Sequence, residues 1–312
     1  MGLILMKKTA SFCLFLLLFA LLCGCAHGES ASPKIENVVR EKPDTFSCSF
    51  DGVRHSFLLN LPEETEGAPL VLMLPGYGNT AEAFRGTVHF EETANPSGYA
   101  VVYVTGAPDP KNPGSAIGWH SDSAVEGNRD VEFLVSLAEY LQETYSLDPA
   151  RTYAVGFSNG AFMVHRLAAE AGDSFAACVS VAGLMPESVW ETRPEENRIG
   201  FFQITGEKDD VVPKNSDGSA RYAKAPAIED VMVYWAASNG LKQQESSRTE
   251  NGSVLTKYTG ESASQQVWHL FVAGGHHSWP KGQFGQPDIN PLILEFFEVQ
   301  SPAAKTDGGA DS

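Results

Sequence analysis

The apolar residues of this chain change their spacing several times, and each spacing predicts a kind of element. Alternating apolar and polar residues on either side of Asp51-Gly52 predict two strands joined by a tight turn. Continuous apolar runs predict strands buried on both faces, and these runs cover residues 69–74, 100–104, 152–156, 175–181 and 200–205. The remaining patterns predict strands over 253–258 and 266–271 and helices over 129–145, 159–170, 227–238 and 289–299.

This alternation of strands and helices predicts one α/β domain over residues 44–300. Its sheet should be mostly parallel with an antiparallel N-terminal edge, and helices should cover both faces. Two stretches without a clear period, 106–126 and 183–198, are predicted to be loops over the carboxyl ends of the strands. Residues 301–312 are small and polar, which predicts a disordered tail.

The N-terminal residues carry the pattern of an export signal. Lys7 and Lys8 precede an apolar run over residues 12–22. This run is shorter than the ~20 residues that a membrane-spanning helix needs, so it is not a membrane span. We therefore predict a signal peptide over residues 1–24.

The run ends in Leu22-Cys23-Gly24-Cys25, which resembles the lipoprotein box of bacteria. The resemblance implies that Cys25 is lipidated and becomes the mature N-terminus, followed by a polar tether over residues 25–43. It places the protein on the bacterial cell surface or the periplasmic face, with the lipid as its contact with the membrane. An ordinary signal peptide is the alternative, and either Met1 or Met6 can be the start.

Charge limits the possible partners. The 312-residue chain has a formal net charge of −17. Loss of the signal peptide removes two lysines and no acidic residue, so the mature charge is −19. A surface of this sign disfavours nucleic acid, because phosphate binding requires lysine and arginine. A neutral substrate is easier to accommodate, and the oligomeric state is left open.

The cysteines leave one question open. Of five, Cys13 and Cys23 leave with the signal peptide and Cys25 takes the lipid, so Cys48 and Cys178 remain. A disulfide between these two is compatible with an oxidising compartment. Because Cys178 lies inside an apolar run, a buried free thiol is the simpler interpretation.

The segment Gly156-Phe157-Ser158-Asn159-Gly160 lies between a predicted strand and a predicted helix. A G-x-S-x-G sequence in this context is typical of a nucleophile elbow, where side chains two before and two after the serine would collide with the backbone. Ser158 is therefore the predicted nucleophile. The Asn159 N–H at the start of the helix favours a developing negative charge. The structural alternative is a strand-to-helix connection with an incidental serine.

A serine nucleophile needs a base and a group that orients the base, which follow it in the order acid then histidine in folds of this kind. The acid candidates lie in Gly206-Glu207-Lys208-Asp209-Asp210-Val211-Val212-Pro213, after a buried strand. The base candidates lie in Gly274-Gly275-His276-His277-Ser278-Trp279-Pro280, after the last strand. Each segment offers two adjacent choices. The spacing is not that of a known metal motif, so neither a metal nor another cofactor is predicted.

With these three segments, the chain resembles the secreted polyhydroxybutyrate depolymerase and feruloyl esterase group of α/β hydrolases. Members of that group read G-F-S-x-G, then G-x-x-D-x-x-V-P, then G-G-x-H-x-W-P. The resemblance covers about residues 69–297 and implies an α/β-hydrolase fold. Position by position, it implies Ser158 as nucleophile, Asp209 as the acid and His277 as the base, with Asp210 and His276 as rivals.

The loop after the strand over 69–74 reads Leu74-Pro75-Gly76-Tyr77-Gly78-Asn79-Thr80-Ala81. The resemblance points to the Tyr77 N–H, beside that of Asn159, as the oxyanion hole. Many relatives have histidine in place of Pro75, so the resemblance does not say how this loop is braced. The same residues fit a dinucleotide fingerprint, but the next strand is not followed by the acidic residue that a ribose requires.

Three further side chains are candidates for the substrate pocket. The rings of Trp119 and Trp279 can stack on a sugar or an aromatic acyl group, with structural packing as the alternative for each. His120, next to Trp119, is a further candidate. His165 lies about two helical turns after Ser158 and is predicted to pack beneath the elbow helix.

Together these features predict a serine esterase that works through an acyl-enzyme. Export to the cell surface favours feruloyl or acetyl esters on extracellular polysaccharide over polyhydroxybutyrate. The alternatives are a polyhydroxybutyrate depolymerase, a serine peptidase of the dipeptidyl or prolyl oligopeptidase kind, and a catalytically inactive carbohydrate-binding lipoprotein. The expected partner is an ester substrate that can be linked to polysaccharide.

Overall fold

The structure is a computed structural model that describes residues 34–109, 111–122, 128–214, 224–261, 265–283 and 285–300. The predicted signal peptide, Cys25 and the tail over 301–312 lie outside these residues. The strands, in chain order, are β1 (Glu36–Arg40), β2 (Thr45–Phe50), β3 (Val53–Asn60), β4 (Leu70–Leu74), β5 (Ala100–Val104), β6 (Thr152–Phe157), β7 (Ala177–Val181), β8 (Gly200–Gly206), β9 (Gln243–Arg248), β10 (Val254–Thr259) and β11 (Val267–Val272).

These strands form one sheet in the order β1-β2-β3-β5-β4-β6-β7-β8-β11-β10-β9. The six central strands, from β5 to β11, pair in parallel. The strands outside them pair antiparallel on both sides. The mostly parallel sheet with an antiparallel N-terminal edge is therefore as predicted, and a second antiparallel edge closes the other side.

Helices cover both faces of the sheet. They are α1 (Ala81–Val88), α2 (Phe90–Ala94), α3 (Asp130–Tyr145), α4 (Asn159–Glu170), α5 (Glu187–Thr192), α6 (Ile228–Ser238) and α7 (Ile289–Glu298). None of these described helices is long and apolar enough to cross a bilayer.

Strand β4 shows why the central strands lack a polar face. Its five residues are all completely buried. Leu70, Leu72 and Leu74 join one core cluster with residues of α3, α4 and α6, whereas Val71 and Met73 join the other with residues of α1, α2 and α7. Because successive side chains of a strand point to opposite faces, a strand covered by helices on both sides is continuously apolar. This packing is the physical reason for the uninterrupted runs in the sequence.

The polar segment predicted as a tether contains a strand. Residues Glu36–Arg40 form β1, which pairs with β2 although most of its side chains are exposed. β9 at the opposite edge is exposed along its whole length. An edge strand can be held by backbone pairing with one neighbour and needs no apolar pattern, so periodicity does not detect it. The short helices α1, α2 and α5 were also outside the predicted elements.

The two remaining cysteines are free and buried. Cys48 lies on β2 and Cys178 on β7, with four strands of the sheet between them. Burial raises the pKa of the Cys48 thiol to about 12 and also raises the pKa of Cys178. Both therefore act as small apolar side chains of the core, as the simpler interpretation predicted for Cys178.

Candidate active site

The connection from β6 to α4 is a strained turn with Ser158 at its corner. Ser158 has φ 52° and ψ −117°, a conformation that residues other than glycine rarely adopt. A Cβ atom at Gly156 would lie 2.1 Å from the Gly160 oxygen, and one at Gly160 would lie 2.1 Å from the Leu74 oxygen. Only glycine fits at these two positions, which is the steric reason for the glycines of the motif.

Ser158, His277 and Asp209 form a continuous hydrogen-bonded chain. His277 Nε2 is 2.9 Å from the Ser158 hydroxyl oxygen. On the other side of the ring, His277 Nδ1 is 2.8 Å from Asp209 Oδ2. The ring thus has one nitrogen placed to receive the serine proton and the other placed to donate to a carboxylate.

Asp209 is held by its second oxygen. Asp209 Oδ1 accepts hydrogen bonds from the backbone N–H groups of Val211 and Val212, at 3.0 and 2.8 Å. The residue is buried, so its carboxylate is directed by these bonds and little solvated by bulk water. One oxygen is therefore left to orient His277.

The rival residues point elsewhere. Asp210 and His276 are both exposed, while Asp209 is buried and His277 is half-buried. The hydrogen bonds to Ser158 and between acid and base are made by Asp209 and His277. The structure brings together Asp209 and His277, the residues that the family motifs select.

The loop after β4 lies against the serine. A Cβ atom at Gly76 would be 3.3 Å from Ser158 Cβ. Among the described residues, the N–H of Tyr77 makes no hydrogen bond. Asn159 is the first residue of α4, where an N–H has no acceptor within the helix. Both N–H groups predicted for the oxyanion hole therefore lie next to Ser158, and neither has a backbone acceptor among the described residues.

Trp119 joins these two segments. The side chain of Asn159 accepts from Trp119 N at 2.7 Å and donates to Trp119 O at 3.0 Å. The indole N–H of Trp119 donates to the carbonyl of Pro75 at 3.1 Å. Trp119 thus braces the loop that has proline where many relatives have histidine. Sequence reasoning missed this role, because the contacts span 40 and 44 residues and leave no local pattern.

The predicted pocket residues separate into two groups. Trp119 and Trp279 are 5% and 7% exposed, and Trp279 packs against Phe84 and Phe157 while its indole N–H donates to Asn290 at 2.9 Å. These contacts favour the structural alternative for both tryptophans. His120 is paired with Asp130 at 3.0 Å, and this hydrogen bond raises the pKa of the imidazole.

His165 packs beneath α4 as predicted. It is fully buried, with Nε2 3.2 Å from Gln203 Oε1 and its ring 4.8 Å from that of Phe201. Burial lowers its pKa to about 3, so the imidazole is neutral near pH 7. It has a structural role in the core.

The sheet order, the serine at the β6–α4 corner and the order of serine, acid and histidine define an α/β hydrolase. Solved structures show the same fold. An acetyl xylan esterase from Aspergillus awamori has a TM-score of 0.57 and 15% identity, covering 78% of this chain and 94% of its own. The structure of esterase PE8 has a TM-score of 0.51 and 19% identity, covering 78% of this chain and all of its own.

The chain belongs to the esterase PHB depolymerase family, whose sequence profile matches residues 55–190. It is 30% identical over 268 residues to the "Putative esterase NocK" of Nocardia uniformis subsp. tsuyamanensis, covering 78% of this chain and 74% of that protein. It is 29% identical over 235 residues to the poly(3-hydroxyalkanoate) depolymerase C of Paucimonas lemoignei, covering 68% and 55%. Family and fold together make the protein a carboxylic ester hydrolase.

The bracing by Trp119 leads to a prediction. Trp119→Phe removes the indole N–H and leaves the Pro75 carbonyl without its donor, so the Tyr77 N–H should be less well positioned. We expect kcat for a small aryl ester to fall by about tenfold, equal to about 1.4 kcal/mol, with KM within twofold.

The matched control is Trp235→Phe. Trp235 is fully buried, but its indole nitrogen has no partner within the described residues, so this variant loses volume without losing a hydrogen bond. The two variants are compared by steady-state kinetics and by thermal unfolding. Equal losses of kcat in both would show that Trp119 only fills space.

Proposed function

We propose that this protein is a serine esterase in which Ser158 is the nucleophile, His277 the general base and Asp209 the residue that orients His277. The observation that carries the proposal is the pair of distances on the two sides of the imidazole, 2.9 Å to Ser158 and 2.8 Å to Asp209. A nucleophile, a base and an orienting acid in hydrogen-bond contact are the minimum for acyl transfer to a serine.

In the first half of the reaction, the Ser158 hydroxyl attacks the ester carbonyl while His277 Nε2 takes its proton. The imidazolium that forms is stabilised through Nδ1–H by Asp209, which stays ionised. His277 then returns the proton to the leaving alcohol, and the acyl group remains on Ser158. In the second half, His277 activates a water molecule, which releases the acid and restores the serine.

The negative charge of each tetrahedral intermediate needs donors that are already in place. The N–H groups of Tyr77, in the loop after β4, and of Asn159 are proposed for this role. Asn159 starts α4, where the helix dipole favours an anion. A single such donor contributes about 3 kcal/mol to lowering a barrier. Trp119 is hydrogen-bonded both to Asn159 and to Pro75 in the loop after β4. These bonds support the assignment, because preoriented donors need no rearrangement during the reaction.

For the substrate, we propose feruloyl or acetyl esters on extracellular polysaccharide, ahead of polyhydroxyalkanoates. Relatives named as acetylxylan esterases and a feruloyl esterase support this choice, although each matches less than half of the chain. An exported enzyme meets polymers outside the cell and cannot reach storage granules in its own cytoplasm. The acidic chain is compatible with a neutral polysaccharide.

For location, we propose export and attachment to a membrane surface through a lipid on Cys25. The export pattern before Cys25 and the polar composition of residues 26–35, before the first strand, support this proposal. A short polar spacer of this kind would connect the lipid to the hydrolase domain.

Loss of the nucleophile is the first test. Ser158→Ala should abolish hydrolysis of a small aryl ester, since removing a triad nucleophile can cost about 10⁶ in kcat, or about 8 kcal/mol. The variant should keep its thermal unfolding temperature within a few degrees or rise slightly, because alanine removes no core contact. Activity within tenfold of the native enzyme, in protein free of contaminating esterase, would refute the mechanism.

The adjacent duplicates provide matched controls for the same test. His277→Ala should resemble Ser158→Ala, and Asp209→Asn should lower kcat by up to about 10⁴ by misorienting the imidazole. His276→Ala and Asp210→Asn change exposed neighbours and should stay within threefold. If kcat fell strongly in His276→Ala or Asp210→Asn instead, the base or the acid would have to be reassigned to that neighbouring residue.

Substrate class is tested by competition among three esters. The panel is methyl ferulate, acetylated xylo-oligosaccharides and hydroxybutyrate oligomers, compared by kcat/KM because specificity is a ratio of these values. We expect one of the first two to exceed the hydroxybutyrate oligomers by at least tenfold. A hundredfold preference for hydroxybutyrate oligomers would reverse the substrate proposal and leave the triad unaffected.

Lipidation is tested by Cys25→Ser. The variant should move from the membrane fraction to the soluble or secreted fraction in a bacterial host and keep its esterase activity, because the changed residue precedes the hydrolase domain. Mass spectrometry of the native N-terminus should detect a diacylated cysteine. Unchanged fractionation together with an unacylated N-terminus would reject the anchor.

A further inference from the structure

Among the aspartate, glutamate, lysine and arginine residues that the structure describes, three are buried, namely Asp130, Arg166 and Asp209. A buried charge without compensating partners is costly, so each of them requires an explanation. Asp209 orients His277 and is explained by the triad. Asp130 and Arg166, at 7% and 6% exposure, have no role in the proposed chemistry. They lie on different helices, and both bind the same residue, His120.

Asp130 binds His120 at two points. It is the first residue of α3, and its Oδ2 accepts a hydrogen bond from the His120 backbone N–H at 2.8 Å. The same oxygen is 3.0 Å from His120 Nδ1, which donates to it because an ionised carboxylate can only accept. The Asn128 side chain accepts from the Asp130 N–H at 2.9 Å and donates to the His120 carbonyl. The carboxylate therefore fixes both the backbone and the ring of His120.

Arg166 holds the other side of the same residue. It lies on α4, the helix that begins directly after Ser158, and its Nη1 donates to the His120 carbonyl at 2.8 Å. Its Nε donates to Glu170, one helical turn further on, at 2.9 Å. The N–H and the carbonyl of His120 are thus both bonded to buried charged side chains. Hydrogen bonds to charged groups are stronger than those between neutral groups, so this residue is held firmly from two helices.

His120 directly follows Trp119, which bonds to both segments around the serine. The Asn159 side chain bonds to the backbone N–H and carbonyl of Trp119 at 2.7 and 3.0 Å, and the Trp119 indole donates to the Pro75 carbonyl at 3.1 Å. A displacement of His120 is therefore passed to Asn159 and to the loop after β4. Buried polar networks with satisfied partners fix one arrangement more narrowly than apolar packing does.

We propose that Asp130 and Arg166 are positioning residues for the oxyanion hole and act through His120 and Trp119. They hold the peptide between α3 and α4, and this peptide keeps the two backbone N–H donors in the orientation that the tetrahedral intermediate requires. The inference rests on the proposed function, because an oxyanion hole is needed only if Ser158 attacks a carbonyl group.

Two substitutions test the inference. Asp130→Asn keeps the shape of the side chain and removes its charge, whereas Arg166→Met keeps most of the apolar stem and removes the guanidinium. We expect each to lower kcat for a small aryl ester by about tenfold, with KM within twofold, because the donors act on the transition state more than on the bound substrate. A lower thermal unfolding temperature with unchanged kcat would show a structural role only and would overturn the inference.

Asp148→Asn is the matched control. The Asp148 carboxylate also accepts from a backbone N–H, that of Ala150 at 2.9 Å, and from an arginine, Arg151 at 2.8 Å. It precedes β6, whereas Ser158 follows this strand, so the two residues lie at opposite ends of β6. This variant should keep kcat within twofold of the native value. A loss as large as that of Asp130→Asn would contradict the positioning role.

A tetrahedral analogue tests the oxyanion hole directly. The Ser158 oxygen adds to the boron of phenylboronic acid, no group leaves, and the hydroxyl proton passes to His277, so the adduct is tetrahedral and negative like the intermediate. We expect the inhibition constant to rise about tenfold in Asp130→Asn and in Arg166→Met, in proportion to the fall in kcat/KM. Inhibition constants equal to that of Asp148→Asn would overturn the inference.

A double variant tests the route. If Asp130 acts through Trp119, Asp130→Asn combined with Trp119→Phe should lower kcat by less than the product of the two single losses. Losses that multiply would show that the two residues act independently, and the route through Trp119 would be wrong.

The boronic acid also separates this inference from the proposed function. Its binding to the native protein and to Ser158→Ala is compared by calorimetry, and we expect binding to be lost in the variant. Equal binding to these two proteins would count against the serine nucleophile. Tight binding to the native protein that is unchanged in Asp130→Asn and Arg166→Met would count against the positioning role alone.

Discussion

The strained backbone of Ser158 is the constraint on which the site depends. Holding a non-glycine residue in this backbone conformation costs about 1–3 kcal/mol, so the conformation persists only where the surrounding packing stabilises it. Here α4 approaches β4 so closely that the Gly160 position leaves no room for a Cβ beside the Leu74 oxygen. Burial of the inner face of α4 against the sheet offsets the strain, and the serine hydroxyl is held outside the carboxyl end of β6.

The rest of the triad follows from the parallel pairing of β8 and β11. These strands are adjacent, with Val272 opposite Gly206, so the loops that follow them leave the sheet together. The two loops are tied by a hydrogen bond of 2.6 Å from Lys208 N to Gly275 O. Asp209 and His277, 68 residues apart in the chain, consequently meet at 2.8 Å. The imidazole is placed by the sheet and oriented by a buried carboxylate.

One loop connects the surroundings of Ser158 with the start of α3. Trp119 bonds to Asn159 and Pro75, on the two sides of the serine corner, while His120 bonds to Asp130 at the start of α3. Arg166 of α4 also donates to the His120 carbonyl at 2.8 Å, so the loop is held from beneath by the elbow helix. A segment held at this many points keeps the residues around Ser158 in fixed positions.

The sequence by itself determined the central strands of the sheet and the tight turn at Ser158. Continuous apolar runs identified β4, β5, β6, β7 and β8, because burial on both faces requires apolar side chains at every position. The two glycines around Ser158 are required by local sterics and are readable in five residues. The edge strands β1 and β9 escaped detection, since pairing of their backbone with one neighbour needs no particular side chains.

The tertiary structure alone decided how the loop after β4 is braced and where Trp119 and Trp279 point. It also decided that Cys48 and Cys178 lie too far apart in the sheet to pair. The family motifs already selected Asp209 and His277, and the structure adds the burial and the hydrogen bonds of these two side chains. Each decision depends on contacts between segments distant in the chain. Such contacts are selected by the packing of the whole domain, and the local sequence carries no signal for them.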